Sequence, residues 1–468
     1  MRSKWVSVGT VMLGVMAMIL VSGIGVAVAG QDSAPTFTKD VAPILYENCV
    51  RCHRPGEVAP MSLTSYQEAR PWARSIKAKV AAREMPPWFA DPAFGSFRND
   101  ARLTQDEIDT IGAWADAGAP EGNDADLPTM PQFAAGWLHP SGAAPDAVIE
   151  MPLEFAVGAN DGEIPMKGFF TPVPFEEDRF VEAVQAVPGN RPLVHHIVMF
   201  AQTLPPDIEL INSELPQRPS RGGSDDEQAA QNEQAAQAGT GPQFVFGSGE
   251  TLWLGVYAPG WLFEQYRPGI GKRIRKDDYI HFNVHYQATG REETDRSRVG
   301  LWFQDKLQRE LVTHRVGETH IVEGQELVGA TERGARVPNI PPHVADWAIT
   351  GITPIPNDVS LHAFAPHMHL RGKSMKYVVT YPDGRQETLL SVPKYDFNWQ
   401  LFYELEEPIV LPAGSTIRTI STFDNSINNR YNPAPDQEVY WAEQSWDEMF
   451  LGLMFYTVDE QSDKDTTE

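Results

Sequence analysis

The chain has 468 residues, too many for one hydrophobic core, so several domains are expected. Its 42% hydrophobic and 22% charged residues are ordinary for folded soluble protein and argue against wholesale disorder and against a polytopic membrane protein. A formal charge of −25 argues against nucleic acid as a partner and specifies no other chemistry.

At the N-terminus, Arg2 and Lys4 precede an uncharged, mostly apolar stretch that starts at Trp5 and ends in Ala27-Val28-Ala29. This reads as a secretory signal over 1–29 with an A-x-A cleavage site. The stretch is also long enough to span a bilayer, so an uncleaved anchor is the alternative, and membrane contact is expected only there. In both cases the remainder is expected to be periplasmic or otherwise exported.

Cys49-Val50-Arg51-Cys52-His53 then follows the C-x-x-C-H pattern of covalent haem c attachment, in which two thiols join the haem vinyl groups and the imidazole becomes an axial ligand. A disulfide or a redox dithiol would use the same two cysteines, but neither needs His53. Val41, Ile44 and Leu45 are spaced for a helix leading into the turn, and Thr104 with Glu107 forms a capping box before the apolar stripe Ile108, Ile111, Trp114. These features predict a small all-α cytochrome c domain over 36–121. Its second axial ligand is expected from Met85, in the Met85-Pro86-Pro87-Trp88 segment, with Met61 as the rival.

Residues 122–145 are rich in Asp, Pro, Gly and Ala and read as a linker, with Phe133 and Trp137 as anchors. Beyond it, short β-branched and aromatic runs separated by turn residues predict an all-β region. A polar Gln, Ala, Glu and Gly stretch over 212–241 interrupts this region as an insertion. A boundary between two β domains is expected near 311, giving domains over 146–310 and 311–460 and an acidic tail over 461–468.

Seven of the twelve histidines fall in three short segments: His195-His196, His281 with His285, and His362 with His367 and His369. Alternate residues share a strand face, so His367 and His369 can bind one metal, as can His281 and His285. Adjacent His195 and His196 point to opposite faces unless a bulge or strand end intervenes. Imidazole suits copper, zinc, iron and nickel alike, so spacing does not name the metal. His314, His320 and His343 lie in ordinary stretches.

The motif order Val194-His195-His196-Ile197, Val284-His285-Tyr286, His367-Met368-His369, Asp447-Glu448-Met449 resembles the type II copper, ascorbate-dependent monooxygenases. This is the family of peptidylglycine α-hydroxylating monooxygenase and dopamine β-monooxygenase. The resemblance covers roughly 147–456 and excludes the haem region. It implies two jelly-roll-like β domains with one copper each: an electron-transfer copper on His195, His196 and His285, and an oxygen-activating copper on His367, His369 and Met449. It also implies hydroxylation of a C–H bond with dioxygen. His281 and His362 have no place in the motif set and read as structural or as hydrogen-bonding support.

The chain departs from the family in two ways. The β region has no cysteine, where animal members carry disulfides. Ala365 stands before the H-x-H pair, where peptide-amidating members have an arginine, and Leu451 and Leu453 follow the methionine. An uncharged, apolar small-molecule substrate is therefore expected rather than a peptide carboxylate. A tethered haem is kept at high effective concentration, so electrons are expected to pass from a periplasmic donor through haem to the coppers. A non-catalytic electron-transfer or copper-binding protein on the same scaffold is the alternative.

Overall fold

The computed structural model describes residues 34–204, 210 and 251–459, less 58, 133–135, 162–163, 165, 329–336 and 443. The signal segment 1–29, the insertion 212–241, Phe133 and the tail 461–468 lie outside the described residues.

A helical turn over Phe37–Val41 runs into helix α1, Ala42–Asn48, which delivers the chain to Cys49. Helices α2, Tyr66–Ala69, and α3, Ala73–Ala81, follow, and α4 covers Gln105–Asp116. The capping box at α4 is formed: the Glu107 N–H donates to Thr104 Oγ1, and the Thr104 N–H donates to the Glu107 carboxylate. Ile108, Ile111 and Trp114 of α4 meet Phe37, Leu45, Ile76 and Val80 in one apolar cluster.

Two β units follow, each a six-stranded sheet packed on a four-stranded one. In the first unit the four-stranded sheet runs Lys167–Pro172, Tyr279–Tyr286, Val194–Gln202, Thr251–Tyr257. Its inward residues Ile197, Met199, Ile280, Phe282 and Val284 pack against Val181, Val184, Val299 and Leu301 of the larger sheet. In the second unit the four-stranded sheet runs Val312–Val316, Leu451–Val458, Val359–His367, Tyr403–Leu411. The outer faces of the two four-stranded sheets meet through Phe200, Trp253, Trp261, Ala363, Leu453 and Phe455.

The expected architecture, a small all-α cytochrome c domain followed by two all-β jelly-roll-like copper domains, is corrected by this arrangement. Among the described residues strands take 39% and helices 12%, and the longest helix has 12 residues, so no separate all-α domain is evident there. Between α3 and α4 the chain leaves the helical cluster, and Trp88, Ala90 and Phe97 are built into the core of the second β unit. There Asp91 N–H donates to Ser391 O (2.8 Å) and Arg98 N–H to Glu404 O (2.9 Å). Too little apolar surface exists among the short helices to bury these aromatics, and the β core supplies it. The six-plus-four sheets also differ from the eight strands of a jelly roll.

Candidate metal centres

Strand alternation explains the first histidine group. Along Tyr279–Tyr286, Ile280, Phe282, Val284 and Tyr286 point into the core, which turns His281, Asn283 and His285 to the outer face. The neighbouring strand pairs with it as His196 opposite His285, Val198 opposite Asn283 and Phe200 opposite His281. The register shifts between Val194 and His196, so His195 is the extra residue of a β-bulge. That bulge lets two adjacent histidines face one point, and ligand atoms of His195, His196 and His285 all lie within 4.8 Å of one another. His195 Nδ1 and His196 Nδ1 are 3.0 Å apart.

His367 and His369 lie at and just beyond the end of strand Val359–His367, with ring centroids 5.2 Å apart. His367 Nδ1 hydrogen-bonds Gln400 Oε1 at 2.8 Å, which makes Nδ1 the donor and leaves Nε2 as the ligand atom. Glu448 is wholly buried and accepts from the His369, Arg371 and Met449 backbone N–H groups at 2.8, 2.6 and 3.2 Å. One carboxylate thus ties the H-x-H segment to the segment carrying Met449. His196, His367, His369 and Met449 line one cavity of about 150 Å³, whose walls are Val198, Phe200, Trp253, Leu451 and Leu453, with Arg315 beside Leu453.

Burial keeps these imidazoles neutral. It pushes His285 and His367 down to about 4, with the His195 charge adding to the effect at both and the Gln400 hydrogen bond opposing it at His367. His196 and His369 lie well below the usual histidine range, by burial and then by the neighbouring imidazoles. Neutral imidazole is the form that binds metal. Both groups therefore suit copper: three imidazoles in one, two imidazoles with a thioether in the other.

At the C-x-x-C-H turn, Cys49 and Cys52 are separate thiols. Cys49 packs on the helical cluster and Cys52 on the first β unit, so the turn lies in the seam between them. His53 Nδ1 donates to the Met61 carbonyl at 3.2 Å, which fixes the tautomer and leaves Nε2 for iron. Met85 is half-buried just past α3, its N–H bonded to Lys79 O at 3.3 Å. Arg51 lines a second cavity of about 440 Å³ with Arg98, Leu262, Phe263 and Phe402. Separate thiols and an imidazole oriented by its Nδ1 hydrogen bond are the donor set that a covalent haem uses.

Other histidines have other work. His281 is sandwiched between Phe170 (4.1 Å) and Phe200 (5.6 Å), and Gly168 makes room for it, since a Cβ there would lie 2.8 Å from His281 Nε2. His362 sits at a register shift and shares a hydrogen bond with Thr457 Oγ1 at 3.1 Å. Sequence reasoning missed Gln400, Phe397 and Glu448. Glu448 had a signal, its place beside Met449, whereas Gln400 and Phe397 lie more than twenty residues from any ligand.

No family model matches this chain, and no curated protein matches it. Among solved structures, one of PNGF-II is 8% identical over 66% of this chain and 65% of that chain, less than two thirds of its length, with a TM-score of 0.23. A structure of infectious bursal disease virus Gx strain is 9% identical over 68% and 73%, with a TM-score of 0.17. Paenibacillus xanthan lyase is 10% identical over 72% of this chain and 29% of that chain, also at 0.17. Likeness at this level carries neither fold nor function.

Proposed function

We propose that the chain is an exported, haem-bearing, two-copper monooxygenase that hydroxylates a C–H bond of an uncharged, mainly apolar small molecule with dioxygen. The observation that carries this reading is that His196 of the first ligand group and His367, His369 and Met449 of the second, from different β units, line one mainly apolar cavity. The ordered motifs and their resemblance to the type II copper, ascorbate-dependent monooxygenases support it. Copper on the two groups would supply electron storage at the first and dioxygen activation at the second, with electrons entering from a periplasmic donor through the haem.

The residues each contribute a defined part. His195, His196 and His285 offer only imidazole nitrogen, which holds copper without a thiolate. The Met449 thioether favours the reduced state of a metal held with His367 and His369. Gln400 orients His367, and Glu448 keeps Met449 and His369 on one segment pair. Val198, Phe200, Trp253, Leu451 and Leu453 exclude water from the reacting bond and offer the substrate an apolar wall. Cys49 and Cys52 would hold the haem and His53 would ligate it, with Met85, or its rival Met61, as the second ligand. Glu57 pairs with Arg54 at 2.6 Å and with Arg191 at 3.2 Å, tying the C-x-x-C-H turn to the segment that leads into His195.

Metal analysis of protein made in the periplasm should find one haem iron and two coppers per chain. Met449→Ala should keep the three-histidine copper and lose oxygen-dependent product formation, followed with labelled dioxygen. Undiminished incorporation of label by that variant would refute the catalytic assignment. A non-catalytic carrier would bind both metals and incorporate no label.

A further inference from the structure

Residues 394–402 belong to the second β unit by sequence but reach across to the first. Gln400 N–H donates to Pro259 O at 2.9 Å, and a Cβ on Gly260 would lie 2.6 Å from Leu401 Cδ2. At the tip of this loop stands Phe397, 8% exposed. Its ring stacks on His195 with centroids 5.2 Å apart and planes at 19°, and it meets His369 edge-on at 5.6 Å and 78°. The Phe397 carbonyl accepts from Gln400 Nε2 at 2.6 Å, while Gln400 Oε1 bonds His367. One short loop therefore touches a member of each ligand group.

We propose that Phe397 is a positioning residue that fixes the separation of the two metal sites, holding the His195, His196, His285 group closed against the His367, His369, Met449 group. This rests on the two-copper reading above. A core phenylalanine is ordinarily ringed by apolar side chains, whereas both ring contacts of Phe397 described above are imidazoles, and they come from different β units. An aromatic ring has few rotamers, so it holds two flanking imidazoles apart by a constant thickness at small entropic cost. The ring thus braces the two groups on one side of the cavity that His196, His367, His369 and Met449 line.

Pulsed electron paramagnetic resonance on the full chain loaded with Cu(II) reads the copper-to-copper distance directly. Phe397→Ala should lengthen and broaden that distance while leaving two coppers per chain and the spectrum of each copper unchanged, and Phe397→Tyr should restore the wild-type distribution. An unchanged distribution in Phe397→Ala overturns the proposal. A wild-type protein binding fewer than two coppers would instead sink the two-copper reading. A metal-free arm tests the ring itself: carbethoxylation of His195, mapped by mass spectrometry, should be several-fold faster in Phe397→Ala and unchanged in Phe397→Tyr. Equal rates in wild type and Phe397→Ala would refute the role of Phe397 whatever the metal content.

Discussion

His281 is a buried base with no place among the ligands. It lies 2% exposed between two phenylalanines, and burial pushes it down to about 3. An unfolded histidine titrates near 6.5, so the unfolded chain binds the extra proton first, and the stability this group contributes is whole above pH 6.5 and is lost as pH falls toward 3. Between pH 6.5 and 5 the loss from this one group is about 2 kcal/mol at 1.4 kcal/mol per unit. His281→Phe keeps the aromatic stack and removes the titration. Urea unfolding at the two pH values should show a shallower acid loss in the variant; identical losses would mean that His281 does not titrate in this way. Gln400 is a different kind of support, acting on a ligand. Gln400→Ala should weaken copper at the second group by about 10–100-fold with the first group unaffected, as read by competitive chelator titration. The proposed ligand residues stand out in the sequence because histidine is rare and its clusters are conspicuous. Their supports do not, because glutamine and phenylalanine are common and only folding brings them near a ligand.

At the scale of the element, strand alternation decides which histidines share a face, and the bulge at His195 is the device that admits both members of an adjacent pair. The demand for a bulge follows from the two-residue period alone, while its position follows from the pairing partner. The linker shows the same division. Trp137, anticipated as an anchor, is 7% exposed and packs on Trp302, and Gln185 clamps the chain on either side by accepting from Leu138 N–H (2.7 Å) and donating to Gly136 O (3.0 Å). Gly300 is needed beneath it, because a Cβ there would lie 2.5 Å from the Trp137 ring. Trp137→Ala should cost about 3–5 kcal/mol of stability, from the cavity left behind. Limited proteolysis should then cut within 122–145, and a resistant linker would show that the tryptophan is not what holds it.

Across the whole molecule, the helical region is coupled to both β units. Its C-x-x-C-H turn faces the first, while Trp88 and Phe97 fill the second, with Trp88 4.9 Å from the Tyr403 ring and 5.9 Å from Phe97. Trp88→Ala should destabilise the second β unit by about 3–5 kcal/mol although the residue lies far from it in sequence. Amide exchange should report faster opening of strand Tyr403–Leu411; protection equal to wild type would show that the segment merely rests on the surface. What the sequence determined by itself was local: the C-x-x-C-H turn, the capped helix α4, the alternation of the strands and the identity of the clustered histidines, because each depends on neighbours within a few residues. Only the tertiary structure decided that the short helices form no separate all-α domain, that a segment between them completes a β core, and that Phe397 stands between the two histidine groups. Those outcomes depend on which apolar surfaces find each other across hundreds of residues, and hydrophobic burial, being non-directional, leaves no local mark of its partner.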